Sequence, residues 1–243
     1  MNNRTLIRLS GPDAFDFLQG LITNDVAKTK DGLVYAALLT PQGKYIADFF
    51  VAAQDDALLV DVAQSHAAML AQRLTMYRLR ADVQIAEAPL IVSRGTGPAP
   101  DSALPDPRHT ALGWRLIANS DQDDGTDWDA LRVANVIPET GVELTPDTYI
   151  LEAGFERLNG VDFRKGCYVG QEIAARMKHK TALKKGLAQV SMAGAADVGT
   201  EITANGRPAG TLYTQSGSLG LAHLRFDRAA GKMQAGSATL LRS

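Results

Sequence analysis

Cysteine is the scarcest chemistry in this chain: one residue in 243, Cys167. A single thiol excludes an internal disulfide framework and any zinc or cluster site built from cysteines alone. It also fits a reducing compartment. Long apolar runs are missing too: nothing approaches the ~20 consecutive residues of a membrane-spanning helix. Neither G-x-G-x-x-G nor a Walker pattern occurs, which removes the usual phosphate cradles. Neither charge sign dominates, with 25 Lys and Arg against 27 Asp and Glu, so no global attraction to nucleic acid exists. The first eleven residues lack an apolar signal core and an Arg/Ser-rich amphipathic run, and a cytoplasmic location is expected. What remains is a chain 45% hydrophobic and 21% charged, enough to bury a sizeable core in one large or several small domains.

Read in order, the chain predicts an α+β fold. Thr5 to Leu9 reads as a strand. Ser10 and Asp13 resemble a capping box before a helix bearing Ala14, Phe17, Leu18 and Leu21. Leu33–Leu39, Lys44–Ala53 and Ala57–Val62 read as three strands whose short connections make them antiparallel neighbours. Thr40-Pro41-Gln42-Gly43 suits a type I turn. Gln64 to Met76 reads as a helix, and a strand to Ala86 follows. Strand, helix and strand around a meander argue against a doubly wound sheet. Arg94 to Arg108 is a Gly/Pro-rich loop, Ala111 to Ala118 a strand, and Asp121 to Asp124 a solvated acidic run. Thr126 and Asp129 are expected to cap a helix ending before Pro138. From Leu183 onward, five short strands and the Asn205-Gly206 hairpin signal a small β domain.

Chemistry concentrates between Val161 and Lys185. Gly166 and Gly170 flank Cys167, and glycine allows tight turns and close approach. Seven Lys and Arg face only Asp162 and Glu172 here, and neighbouring cations favour a thiolate. On these residues alone, an inert cysteine buried in a loop is an equal alternative. After Gln171, helix and strand readings both stand. A helix would direct its positive end toward Cys167.

The words K-G-C-Y-V-G-Q-E resemble the signature of the YgfZ family of folate-binding, iron–sulfur-related proteins, relatives of the glycine-cleavage aminomethyltransferase (T-protein). The resemblance extends to G-P-D-A-F-D-F-L-Q-G-L-I-T-N-D, Y-R-L-R-A-D-V, D-T-Y-I-L-E-A-G and the C-terminal G-T-L-Y-T-Q-S-G-S-L-G-L-A. It implies a folate-binding domain over about 1–182, in subdomains of about 1–90 and 91–182. A C-terminal β-barrel over 183–243 completes a three-part ring. It also implies that Lys165 and Cys167 are the functional pair, and that Glu152 receives the pterin of tetrahydrofolate. Gln171 and Arg176 are carried over as further folate contacts. A carboxylate can accept two donors from an amino-pyrimidine edge. On the residues alone, Glu152 equally suits a helix start.

One departure from T-protein stands out. Asp61 lies where an Asn is expected, and Ala68 falls at the position of the catalytic Asp. An alanine cannot act as a base. The resemblance therefore implies an accessory factor for iron–sulfur proteins, such as tRNA-modifying enzymes, acting through Cys167 with folate bound. The alternative is a folate-dependent one-carbon transferase, which leaves enzymatic activity open. Client iron–sulfur enzymes are the expected partners, with no resident metal, no membrane and no direct nucleic-acid binding. A basic RNA-binding module is disfavoured because few aromatics interleave the cations.

Overall fold

The computed structural model describes residues 3–180 and 182–243, Lys180 by its backbone only. Thr181 and the Lys180 side chain, both in the basic stretch, lie outside the described residues. Two compact units emerge: Met1–Thr126 with Glu156–Ile173, and Asp127–Phe155 with Ala174–Ser243.

The first unit opens with β1 (Arg4–Ser10), α1 (Ala14–Gln19), β2 (Val34–Leu39), β3 (Tyr45–Gln54), β4 (Ala57–Ala63), α2 (Gln64–Arg78) and β5 (Gln84–Ala88). The strands form one sheet in the order β2-β3-β4-β1-β5, each pair antiparallel. Alternation of side chains along a strand sends Ile7, Leu9, Leu38, Phe49, Val51 and Val60 to one face. There they pack with Leu18 of α1 and Leu70 and Leu74 of α2. On the other face, Leu6, Ala52 and Leu59 meet Val92 and Ile117. Those two come from a second sheet of β6 (Ile91–Gly95), β7 (Leu104–Pro105) and β8 (Trp114–Ala118). Coverage on both faces leaves β2 and β4 buried throughout.

This second interface also buries charge. Asp61 pairs with Arg4 at 2.6 Å and Arg115 at 2.5 Å. Asp106 pairs with Arg108 at 2.8 Å, and the Arg115 guanidinium lies 3.9 Å from the Phe50 ring centre. Burial alone would raise the Asp61 pKa; Arg4 and Arg115 outweigh it and hold the carboxyl below its ordinary value.

The second unit carries α3 (Trp128–Asn135) and most of α4 (Gln171–Lys180). Its barrel comprises β9 (Lys185–Ala193), β10 (Glu201–Ala204), β11 (Arg207–Ser216), β12 (Leu219–Arg225), β13 (Met233–Ala235) and β14 (Ala238–Arg242). The barrel closes in the order β10-β11-β12-β9-β14-β13 through the β13–β10 pair. Closure removes exposed sheet edges. Val190, Leu212, Leu224, Met233 and Leu240 fill its interior. Asn205 and Gly206 take positive φ of 51° and 71°, as a two-residue hairpin turn demands.

Several local expectations are corrected. No capping box forms at α1: its start has no side-chain cap, and the Asp13 carboxylate accepts from Asp82 N at 2.8 Å instead. Asp127, not Thr126, caps α3, accepting from Ala130 N at 3.0 Å. The acidic run is not merely solvated. Asp124 accepts from Thr96 N at 2.7 Å and Gly97 N at 2.9 Å, tying down the Gly/Pro-rich loop. Strand β13 went unread because three residues carry too little alternation to register.

Candidate functional site

The loop before α4 inverts ordinary burial: its lysine is inside and its cysteine outside. Lys165 is 7% exposed. Its ammonium donates to Gln19 O at 2.7 Å and Ile22 O at 2.6 Å. Gln19 O is at the C-terminal end of α1 and Ile22 O in the segment just after it, where unpaired acceptors and the helix dipole favour a cation. Burial lowers the amine to a pKa of about 8, against the opposing pull of Asp25 and Asp162.

Further bonds lace the same loop to the segment after α1. Asp162 N donates to Thr23 O at 2.9 Å, and Thr23 Oγ1 donates to Gly160 O at 2.7 Å. Asn24 Nδ2 donates to Asn159 O at 2.7 Å. The Asp162 carboxylate pairs with Lys28 at 2.8 Å and accepts from Arg164 N at 2.8 Å. Asn24 and Asp25 thus serve as architecture.

The two glycines differ sharply. Gly170 has φ +83°, and a Cβ there would stand 2.6 Å from Thr40 O. A Cβ on Gly166 would meet no atom of the described residues within 4 Å. Cys167 between them is a free, exposed thiol, which removes the reading of an inert buried cysteine. Tyr168 is buried, with its ring 5.2 Å from the Lys165 ammonium. Its hydroxyl has no partner among the described residues, and burial pushes the phenol up to about 12. The ambiguity after Gln171 resolves as helix: α4 begins directly after the loop, and Gln171 N donates to Tyr168 O at 3.3 Å.

Glu152 sits in consecutive turns, not at a helix start. Its Oε2 lies 3.1 Å from His223 Nε2 on β12. Its backbone carbonyl accepts from Leu187 N of β9 at 2.7 Å. The barrel therefore fixes this turn from both ends. The side chain is 19% exposed, and Oε1 has no protein partner among the described residues. No sequence signal marked His223, since a lone histidine in a strand reads as ordinary surface.

Gln171 and Arg176 both lie on α4. Five residues advance a helix by about 140° beyond a full turn, so they do not share a face. Cys167, Lys165 and Gln171 belong to the first compact unit, Glu152 and Arg176 to the second. Ala68 is exposed on α2, lining a groove of about 310 Å³ with Gln64, Ala67, Ala71 and Glu87. Asp61 is no substitute base, being locked between two arginines. A wider groove of about 760 Å³ beside Phe15, Lys30 and Asp56 includes none of the expected site residues. No group of three His, Cys, Asp or Glu is placed to hold a metal ion among the described residues.

Comparison with known proteins now decides the family. The mouse (Mus musculus) protein "Iron-sulfur cluster assembly factor IBA57, mitochondrial" is 30% identical over 96% of this chain and 78% of its own length. The chain belongs to the IBA57 iron–sulfur cluster assembly factor family. The human (Homo sapiens) member is 28% identical over the same shares, and a homologue from Phaeosphaeria nodorum is 30% identical over 93% of this chain and 69% of its own. Residues 184–242 match the C-terminal beta-barrel domain of CAF17. The solved structure of the glycine cleavage system aminomethyltransferase T from Bartonella henselae superposes with a TM-score of 0.78. It covers 99% of this chain and 82% of that one at 13% identity. The aminomethyltransferase fold with its terminal barrel is thereby established.

For an IBA57-family chain, the cytoplasmic expectation does not hold. The relatives are named as mitochondrial proteins. A lone reduced cysteine cannot distinguish one reducing compartment from another. No helix among the described residues is long and apolar enough to cross a membrane.

Proposed function

We propose that this protein is an assembly factor for iron–sulfur proteins that presents Cys167 to a cluster or its client, with tetrahydrofolate bound near Glu152. The observation that carries this reading is the exposed thiol on a loop anchored at both ends. The K-G-C-Y-V-G-Q-E wording supports placing it among YgfZ-type members. Cluster transfer of this kind is a ligand exchange. The bond from Cys167 sulfur to one iron is replaced by a bond from a client thiolate, and no electron changes hands. One thiolate cannot hold a cluster by itself, so the client supplies the remaining ligands. A radical tRNA-modifying enzyme is a suitable client class.

Glu152 supports the folate half. One carboxylate oxygen is steadied by His223, while the other can accept from a donor-bearing ring edge. Such a carboxylate fits a pterin. When bound, folate would supply a one-carbon carrier; the chain's own contribution is to orient it. A one-carbon transferase reading lacks a base at Ala68, and Asp61 cannot replace it.

The test is rescue of a cluster-dependent enzyme in cells lacking the protein, alongside calorimetry with tetrahydrofolate. Wild type is expected to rescue and bind; Cys167→Ser is expected to bind folate and fail to rescue. Full rescue by a folded Cys167→Ser variant overturns the thiol reading.

A further inference from the structure

The C-terminal tip of α2 is built against the interest of its own fold. Leu79, the residue that ends the helix, has φ 45° and ψ −102°, a region disfavoured for any residue with a side chain. Glycine would relieve that strain. Yet Leu79 is 89% exposed, and Met76 one turn earlier is 62% exposed. Residues three apart at a helix end stand side by side. Burying neither side chain, the fold gains nothing from them in return for the strain. A residue that breaks local rules without a local gain points to a function elsewhere.

The surrounding charge narrows what that function is. Between Gln72 and Gln84, three arginines (Arg73, Arg78 and Arg80) stand against one acid, Asp82, in a chain of net charge −2. All three arginines are exposed. Arg78 donates to Val83 O at 3.2 Å, and none of the three joins an ion pair among the described residues. Tyr77, the one aromatic here, packs against the hydrophobic core. It is therefore not offered as a stacking platform, which single-stranded nucleic acid requires.

We infer that this tip docks an acidic, amphipathic segment of a partner protein, with Leu79 and Met76 entering its apolar face and the arginines meeting its carboxylates. Desolvated apolar anchors ringed by complementary charge are the usual anatomy of an interaction hot spot. None of these residues belongs to the Cys167 loop or to the Glu152 turn, so the inference stands or falls separately.

The probe is a fluorescein-labelled helical peptide with leucines on one face and glutamates beside them. Comparison probes carry Lys for Glu or Ser for Leu, and a single-stranded RNA of equal charge completes the set. Each is titrated onto the full chain by fluorescence anisotropy. The Leu/Glu peptide is expected to saturate, with both swapped peptides at least about tenfold weaker. Leu79→Gly is expected to raise Tm by relieving strain while weakening the peptide on the order of thirtyfold, the mark of a hot spot. Equal peptide affinity for a folded Leu79→Gly variant, or tighter binding of the RNA than of the peptide, overturns the inference.

Discussion

The Cys167 loop and the Glu152 turn solve the same problem in opposite ways. Both hold one candidate side chain in place without fully burying it. The loop does so from beneath: Lys165, Asp162 and Thr23 fasten its base, the thiol is exposed, and a Cβ on Gly166 would meet no atom of the described residues within 4 Å. The turn does so from the side: His223 touches the carboxylate itself, and β9 takes the carbonyl behind it. A soft nucleophile proposed to meet a bulky cluster benefits from open space. A carboxylate proposed to meet a flat, donor-lined ring benefits from preset orientation. Under the proposed function, the difference is that between a delivering group and a binding group.

That separation is broken most directly at the thiol. Cys167→Ser removes the soft ligand and keeps the shape. Because the side chain is exposed, thermal stability is expected to stay within about 0.5 kcal/mol of wild type, the usual range for surface changes. Loss of iron–sulfur rescue is expected to be complete. Retained rescue would make the loop mere architecture.

The next largest effect lies in the flanking glycines. Gly170→Ala forces a side chain into positive φ and against Thr40 O. Strain and overpacking together are expected to cost about 2–6 kcal/mol. Gly166→Ala meets open space and is expected to change stability by no more than about 1 kcal/mol, in the stabilising direction. Denaturant melts of the two variants give the comparison. Equal losses would mean that the loop's crown is packed after all.

At the turn, Glu152→Ala is expected to weaken tetrahydrofolate by about 1.5–3 kcal/mol, the range for a hydrogen bond to a charged group. His223→Ala, which frees the carboxylate without removing it, is expected to cost less. Calorimetry with both variants decides whether orientation matters. Unchanged affinity in folded Glu152→Ala would remove the residue from any folate site.

How much of this was legible beforehand follows from what periodicity records. The strands of the five-stranded sheet, α2 and most of the C-terminal strands were readable because alternation, helical period and Asn205-Gly206 are local signals; that those last strands form a barrel was legible only as a family resemblance. The buried charges at Asp61, Arg115, Arg108 and Arg132 were not. Some of their partners lie far away in sequence, as with Arg115 and Asp61 and with Arg132 and Thr214 at 2.9 Å; Arg108 finds Asp106 only two residues off, yet a charged letter reads as surface until its partner is known. Cys167 and Glu152 were legible as words of a family. The inward turn of Lys165 and the His223 contact are products of tertiary packing alone.

Lys165 offers the finest test of the comparison, because its buried ammonium is what holds the thiol's loop from beneath. Its pKa falls from the ordinary lysine value of 10.5 to about 8 in the folded protein. Between those values the unfolded chain binds a proton that the folded chain has released. Stability then rises with pH across that window, since it rises wherever the unfolded state holds more protons. The neutral amine still has donors for Gln19 O and Ile22 O. Tyr35 and Tyr168 act oppositely above about pH 10, where their raised phenol pKa values make the folded state the better proton binder. The measurement is therefore a difference: wild type minus Lys165→Met, by denaturant melts from pH 7 to 10. That difference is expected to grow in favour of wild type from about pH 8 upward. A flat difference would mean that Lys165 keeps an ordinary lysine pKa, and that burial does not act on the clamp beneath Cys167.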